Sequence, residues 1–319
     1  MRMGVGWQSR ETTGIDHAQS LHYSYRMVKN LIIFPFTFRE TAKKLLVCIF
    51  VLFGIGAFAE DGHTSVFNSA WLKSVVSIEQ LDTPTNSHPI GTGFLLVSTN
   101  YHLILVTAKH VVLNADGNLN AQLGWRLNER TNASDLISDQ VQTTLFGGWF
   151  MSANADLACR LIGYANESDL APIPVNLLLP QKNLEVGAHI LILGFPMGLR
   201  SEKYTTAIAR NGIVARSEND ELMLDSFVFP GNSGGPVVYS PFVKVGANLS
   251  SPLINKERIA GIVTDYIPYM DVAISPQTKR PRISFEENSG LCHAVSADKI
   301  LELINRADFQ TIEQKLGHP

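Results

Sequence analysis

An all-β fold is the class expected from this sequence, and three observations predict it. From Ser74 onward the residues fall into ten short β-rich runs, Gly, Pro and Asn separate them, and helical spacing surfaces once, near the C-terminus. Short strands punctuated by turn formers are the mark of sandwiches and barrels.

The runs form two groups. "SVVSIEQL" (74–81), "GTGFLLVS" (91–98), "HLILVTA" (102–108) and "DLACRLIG" (156–163) make the first. "HILILGF" (189–195), "TTAIARNGIVARS" (205–217), "LMLDSFV" (222–228), "PVVYS" (236–240), "RIAGIVTDYI" (258–267) and "GLCHAVS" (290–296) make the second. Between them, near 165–186, lies the proline-bearing, strand-poor stretch "DLAPIPVNLLLPQKN". After the last run Ser296 offers a helix cap, and Ile300, Leu303 and Ile304 share one helical face, so a helix is expected over about 297–306. No internal repeat of fixed period and no low-complexity tract is present.

Residues 1–59 read as a lead and a secretory signal peptide. Two lysines precede fifteen uncharged, mostly apolar residues, Leu45 to Ala59, which end in the A-x-A pattern Ala57-Phe58-Ala59. That run is short for a membrane-spanning helix, which needs about 20 residues. An uncleaved anchor and a buried helix are the alternatives, and Met27 is a second candidate start. Cleavage after Ala59 predicts an exported chain, periplasmic or secreted, without stable membrane association, whose folded domain occupies 60–319.

Removing 1–59 leaves 19 Lys/Arg against 26 Asp/Glu, a formal charge of −7. An acidic balance without a basic face argues against a nucleic-acid partner. Cys48 lies in the signal, and Cys159 and Cys292 remain. These two form either one disulfide or two buried thiols, and their apolar, strand-like settings favour thiols. With neither an H-E-x-x-H nor a paired C-x-x-C pattern, and no Gly-rich phosphate loop opening a helix, no metal and no cofactor is expected.

The most informative stretch is "SFVFPGNSGGPVVYS", Ser226 to Ser240, which sets three glycines and two prolines around Ser233. Glycine loses more backbone freedom on folding than any other residue, so such a loop suggests a backbone approaching a ligand closely. The plain alternative is a tight strand connection. A serine hydroxyl becomes a nucleophile when a base lies within hydrogen-bond reach and a third group orients that base. His110, at the end of the apolar run "LILVTAKH", supplies the base. Asp156, at the mouth of "DLACRLI", supplies the orienting carboxylate.

The order His110, Asp156, Ser233, and the pieces "GTGFLLV", "LVTAKHV", "ADLA", "GFPMGL", "GNSGGPVV" and "AVSADKILELI", resemble the trypsin-like serine peptidase family. Within it they are most similar to the bacterial HtrA/Deg-type branch, from about residue 72 to 306. The resemblance implies two packed six-stranded antiparallel β-barrels, over about 72–165 and 187–296, with the C-terminal helix following. It implies an exported endopeptidase acting on proteins or peptides through an acyl-enzyme, with His110, Asp156 and Ser233 as the triad. The oxyanion hole is assigned to the loop Gly231, Asn232 and Ser233, with the N–H groups of Gly231 and Ser233 as donors. Ser226, Phe227 and Val228 would form one wall of the substrate pocket, and Ile262, Val263 and Thr264 the other.

Three features depart from the digestive members of that family. Asn232 stands where they carry Asp, no "IVGG"-like start precedes the first strand, and Val111 replaces a cysteine. Activation by insertion of a new N-terminus is therefore not expected, and neither is a PDZ module after the final helix. The oligomeric state is left open. The competing reading is the same fold without turnover, capturing a peptide or protein.

Overall fold

A computed structural model describes residues 67–317, apart from 84–85, 202, 245–249 and 253–256. The signal segment and its cleavage point lie outside the described residues. The described part falls within one compact unit, Ser65–Pro319.

The protein is mostly strand, as two antiparallel systems. The first contains β1 (Val75–Thr83), β2 (Asn86–Val97), β3 (Leu103–Thr107), β4 (Leu123–Asn128), β5 (Ser134–Ser138), β6 (Phe150–Met151) and β7 (Ala158–Ile162). Their order is β5-β4-β1-β2-β3-β7-β6, and the short β8 (Ile173–Pro174) lies parallel to β2. The second comprises β9 (His189–Gly194), β10 (Ile208–Glu218), β11 (Glu221–Asp225) and β12 (Pro236–Tyr239). A small hairpin of β13 (Phe242–Lys244) and β14 (Ser250–Pro252) follows, then β15 (Arg258–Ile274) and β16 (Pro281–Ser296). Six of these close into a ring in the order β10-β11-β16-β15-β12-β9. The all-β double-barrel class is therefore observed. The second barrel has the six strands expected, whereas the first is an eight-stranded sheet whose terminal strands β5 and β6 do not pair with one another.

Strands β4 and β5 escaped the sequence reading because they are short and polar residues interleave their apolar ones. Arg126 on β4 lies opposite Ser77 of β1 and grips the fully buried Glu79 with Nε and Nη2, at 3.0 and 2.9 Å. Arg200 reaches the same carboxylate at 2.8 Å. Burial pushes the Glu79 carboxyl up, but hydrogen bonds from Arg126 and Ser87 and the two cationic charges outweigh it, holding the acid below its usual range.

A second buried ion pair joins Arg160 of β7 to Asp139, the first residue of the helix Asp139–Phe146. Trp149 Nε1 donates to the same carboxylate at 2.7 Å, and the guanidinium lies 5.3 and 5.5 Å from the rings of Trp125 and Trp149.

The C-terminus carries two helices rather than one. Ala297–Ile304 buries Ile300, Leu303 and Ile304, as its spacing predicted. Ala307–Lys315 follows and buries Phe309, which meets Phe150 edge-on at 5.0 Å between ring centres. Cys159 and Cys292 are free buried thiols, one in each barrel, and burial pushes both up, Cys292 to about 12.

Candidate active site

Strand register brings His110 and Asp156 together. Strands β3 and β7 run antiparallel with Thr107 opposite Ala158, so residues just past one strand meet those just before the other. His110 lies three residues after Thr107, in the one-turn helix Lys109–Val112, and Asp156 two residues before Ala158. The carboxylate accepts from the His110 backbone N–H at 2.9 Å and pairs with imidazole Nδ1 at 2.6 Å. A carboxylate at Nδ1 selects the tautomer protonated there and leaves Nε2 as the basic nitrogen. Burial pushes the Asp156 carboxyl up, but the hydrogen bonds and charge of His110 outweigh it, so the group sits below its usual range.

Ser233 comes from the second barrel and lines, with His110, a cavity of about 320 Å³. Its hydroxyl donates to the Thr264 carbonyl at 2.8 Å.

A set of hydrogen bonds determines how the backbone around Ser233 is turned. The Asn232 N–H donates to the Phe229 carbonyl at 2.9 Å, and its Oδ1 accepts from the Phe229 N–H at 3.0 Å, closing the turn on itself. Thr92 Oγ1, fully buried on β2, donates to the Gly231 carbonyl at 2.6 Å, and its N–H donates to the Ser233 carbonyl at 2.9 Å. Thr92 Oγ1 also accepts from Phe195 N–H at 3.0 Å, at the start of the turn Pro196–Gly198. In that turn Met197 adopts φ 56°, which aims its N–H at the Pro230 carbonyl, 2.6 Å away.

This last bond orients a donor. The 230–231 peptide is trans, so a carbonyl held toward Met197 turns the Gly231 N–H the opposite way. Among the described residues, the N–H groups of Gly231 and Ser233 have no protein acceptor. Asn232, by contrast, is corrected as an oxyanion donor: its N–H is used inside the turn, and its side chain is fully buried.

The glycines are explained at two positions. Gly231 and Gly234 have φ of 97° and 85°, where side chains are rare. A Cβ on Gly234 would also sit 2.1 Å from the Thr92 carbonyl oxygen, and one on Gly231 2.3 Å from that of Phe195.

The residues expected to form the substrate walls divide between the cavity and its surroundings. Val228, Val263 and Thr264 line the cavity, joined by Phe229, Asp265 and Tyr266. Ser226, Phe227 and Ile262 do not. Ser226 is buried with its hydroxyl on the Asn211 carbonyl, Phe227 points outward, and Ile262 is enclosed between β12 and β16. The cavity is bordered by consecutive residues, Val228 to Pro230 and Val263 to Tyr266, and the excluded residues lie just before each run.

A family model described as Trypsin-like peptidase domain matches residues 91–241, from β2 through the Ser233 loop to just beyond β12. Residues 91–241 are thus similar to a trypsin-like peptidase domain. The chain is also similar to Protease Do-like 1, chloroplastic, of Arabidopsis thaliana, 26% identical over 208 residues. The match covers 60% of this chain and 39% of that protein, so the chain spans well under half the length of its relative. Among the described residues no cluster of metal ligands occurs, and no helix is long and apolar enough to cross a membrane.

Proposed function

We propose that the chain is an exported serine endopeptidase in which Ser233 is the nucleophile, His110 the base and Asp156 its orienting partner. One observation carries this reading: His110, paired with Asp156, borders the same cavity as Ser233, beside a turn whose Gly231 N–H has no internal acceptor. In the reaction, Ser233 Oγ bonds to the scissile carbonyl carbon and its proton passes to His110 Nε2. The oxyanion lies on the N–H groups of Gly231 and Ser233. His110 returns the proton to the departing amine, leaving an acyl-enzyme, and water completes hydrolysis by the same route.

The Ser233–Thr264 bond favours the alternative, a silent binding module, because it occupies the hydroxyl. A rotation between staggered χ1 wells releases it. Catalytic hydrogen bonds commonly form only once substrate is bound. A substrate backbone N–H arriving at the Thr264 carbonyl would displace the hydroxyl toward the imidazole.

A serine-directed fluorophosphonate should label the purified protein at Ser233, as read by peptide mass spectrometry. Ser233→Ala should lose both labelling and casein cleavage. Folded wild-type protein that stays unlabelled, and binds peptides as well with Ala at 233, is the binding module instead.

Thr92 is a positioning residue in this scheme, holding Gly231 and the Phe195 turn with one hydroxyl. Thr92→Ala should lower kcat by about 100-fold, comparable to losing an oxyanion donor, with little change in KM. Thr92→Ser, which keeps the hydroxyl, should restore most of it. A raised KM with kcat unchanged would place Thr92 in substrate binding instead.

A further inference from the structure

The hairpin of β15 and β16 outgrows the barrel. Beyond Ile262, β15 leaves its partner β12, and β16 pairs with β11 only from Leu291 onward. Among the described residues, Pro268–Ile274 and Pro281–Asn288 pair only with each other. At the usual rise per residue, this two-stranded ribbon is about 20 Å long. It carries six of the fifteen large hydrophobic side chains exposed on the described surface: Tyr269, Met270, Val272, Ile274, Ile283 and Phe285. Concentrations of this kind mark interaction sites.

Two features identify the partner. The first is that both faces of the ribbon are apolar. In the regular part of the ladder Val272 lies opposite Ser284, whereas Asp271 and Ala273 lie opposite Phe285 and Ile283. Neighbours along a strand point to opposite sides, so Met270 and Val272 share one face, and Tyr269, Ile283 and Phe285 the other. A partner seated on one face would leave the other in water. The second feature is charge. From Val272 to Phe285 the chain has three cations, Lys279, Arg280 and Arg282, and no carboxylate. Lys279 and Arg280 stand on a turn closed by backbone bonds between Ser275 and each of them, at 2.9 and 3.0 Å. All three cations are exposed, and none makes an ion pair among the described residues. This basic tip belongs to a chain that is otherwise acidic, with a formal charge of −7 from residue 60 onward. The ribbon is longer than the screening distance at physiological salt, about 8 Å, so an anionic surface meets the tip before it is repelled by the body.

We propose that the end of this ribbon is a reversible docking site for an anionic phospholipid surface. Lipid surrounds an inserted element and so takes both apolar faces at once. Val272, Ile274, Ile283 and Phe285 enter the boundary between headgroups and acyl chains, and the long stems of Lys279, Arg280 and Arg282 let their charges reach the phosphates. Insertion is shallow, because the outer N–H and C=O groups of a two-stranded ribbon need partners that the hydrocarbon core lacks. The site operates whether or not Ser233 turns over.

The test is co-sedimentation of the purified full chain with vesicles of phosphatidylcholine, alone or mixed with phosphatidylserine. Wild type should bind the mixed vesicles more tightly than the neutral ones, and less so as salt rises. The triple variant Lys279→Gln, Arg280→Gln, Arg282→Gln should weaken binding to the mixed vesicles by about 100-fold, roughly fivefold for each charge. Ile274→Ser with Ile283→Ser should also weaken it while leaving the charge intact. All of these positions are exposed, so circular dichroism should not change. In an Ile283→Trp variant, the emission of the added indole should shift to the blue on mixed vesicles, which reports the ribbon itself whatever the lead segment does. No shift overturns the proposal, as does binding that the triple variant or the serine pair retains in full. Wild type that ignores both vesicles but captures polyglutamate through the tip overturns it in favour of an acidic protein segment.

Discussion

Asp156→Asn should leave the fold intact and lower kcat/KM on a peptide substrate by about 10,000-fold. The size follows from what the carboxylate does in the proposed triad. Asp156 accepts from the His110 backbone N–H and from Nδ1, at 2.9 and 2.6 Å, so both its oxygens are committed to one residue. An asparagine keeps the shape but presents an amide NH2 to one of the two positions. With the backbone N–H claiming the amide oxygen, the NH2 faces Nδ1 and requires that nitrogen to accept. The proton then moves to Nε2, where it blocks transfer from Ser233. The pair is half-exposed, so losing it costs little stability. Steady-state kinetics with matched circular dichroism measure the effect. A loss below tenfold would mean that Asp156 does not control the imidazole tautomer, and the triad assignment would fail with it.

Asp139→Ala should be the most damaging change to stability, costing about 3–5 kcal/mol. Arg160 is fully buried between Trp125 and Trp149, and Asp139 is the anion that neutralises it. Removing the carboxylate leaves a buried charge that the carbonyl of Gly147 and the remaining polar neighbours only partly satisfy. It also leaves the Trp149 N–H without its acceptor. For a domain of this size the melting temperature should fall by roughly 6–20 °C. The double variant Asp139→Leu, Arg160→Met removes both charges and should regain most of the loss, because an apolar replacement avoids the desolvation cost of the pair. Thermal and urea denaturation of the three proteins decide this. An Asp139→Ala variant within 1 kcal/mol of wild type, on that order, would show that water reaches Arg160.

Much of the site was legible because its signals are local. Gly231 and Gly234 announce left-handed backbone, and "TAKH" and "ADL" each end or begin an apolar strand. What was missed depends on partners distant along the chain. Arg126 reads as a polar interruption until its guanidinium meets Glu79 of the neighbouring strand, so β4 is not evident from its own residues. Thr92 is an ordinary strand residue until the Phe195 turn and the Ser233 loop converge on its hydroxyl. Phe227 and Ile262 are near the pocket along the chain, but Phe227 faces solvent and Ile262 is enclosed between β12 and β16.

Sequence alone therefore determined the β class, the grouping into two strand systems and the identities of the three side chains proposed for chemistry. Short-range effects carry all of these: turn propensity, apolar runs and glycine freedom act within a few residues. The tertiary structure decided which peptide N–H groups are free, how Thr92 and the Asn232 turn hold the Ser233 loop, and that a ribbon projects beyond the barrel. Those outcomes depend on strand register, and register is a choice made between segments, where no single segment holds the information.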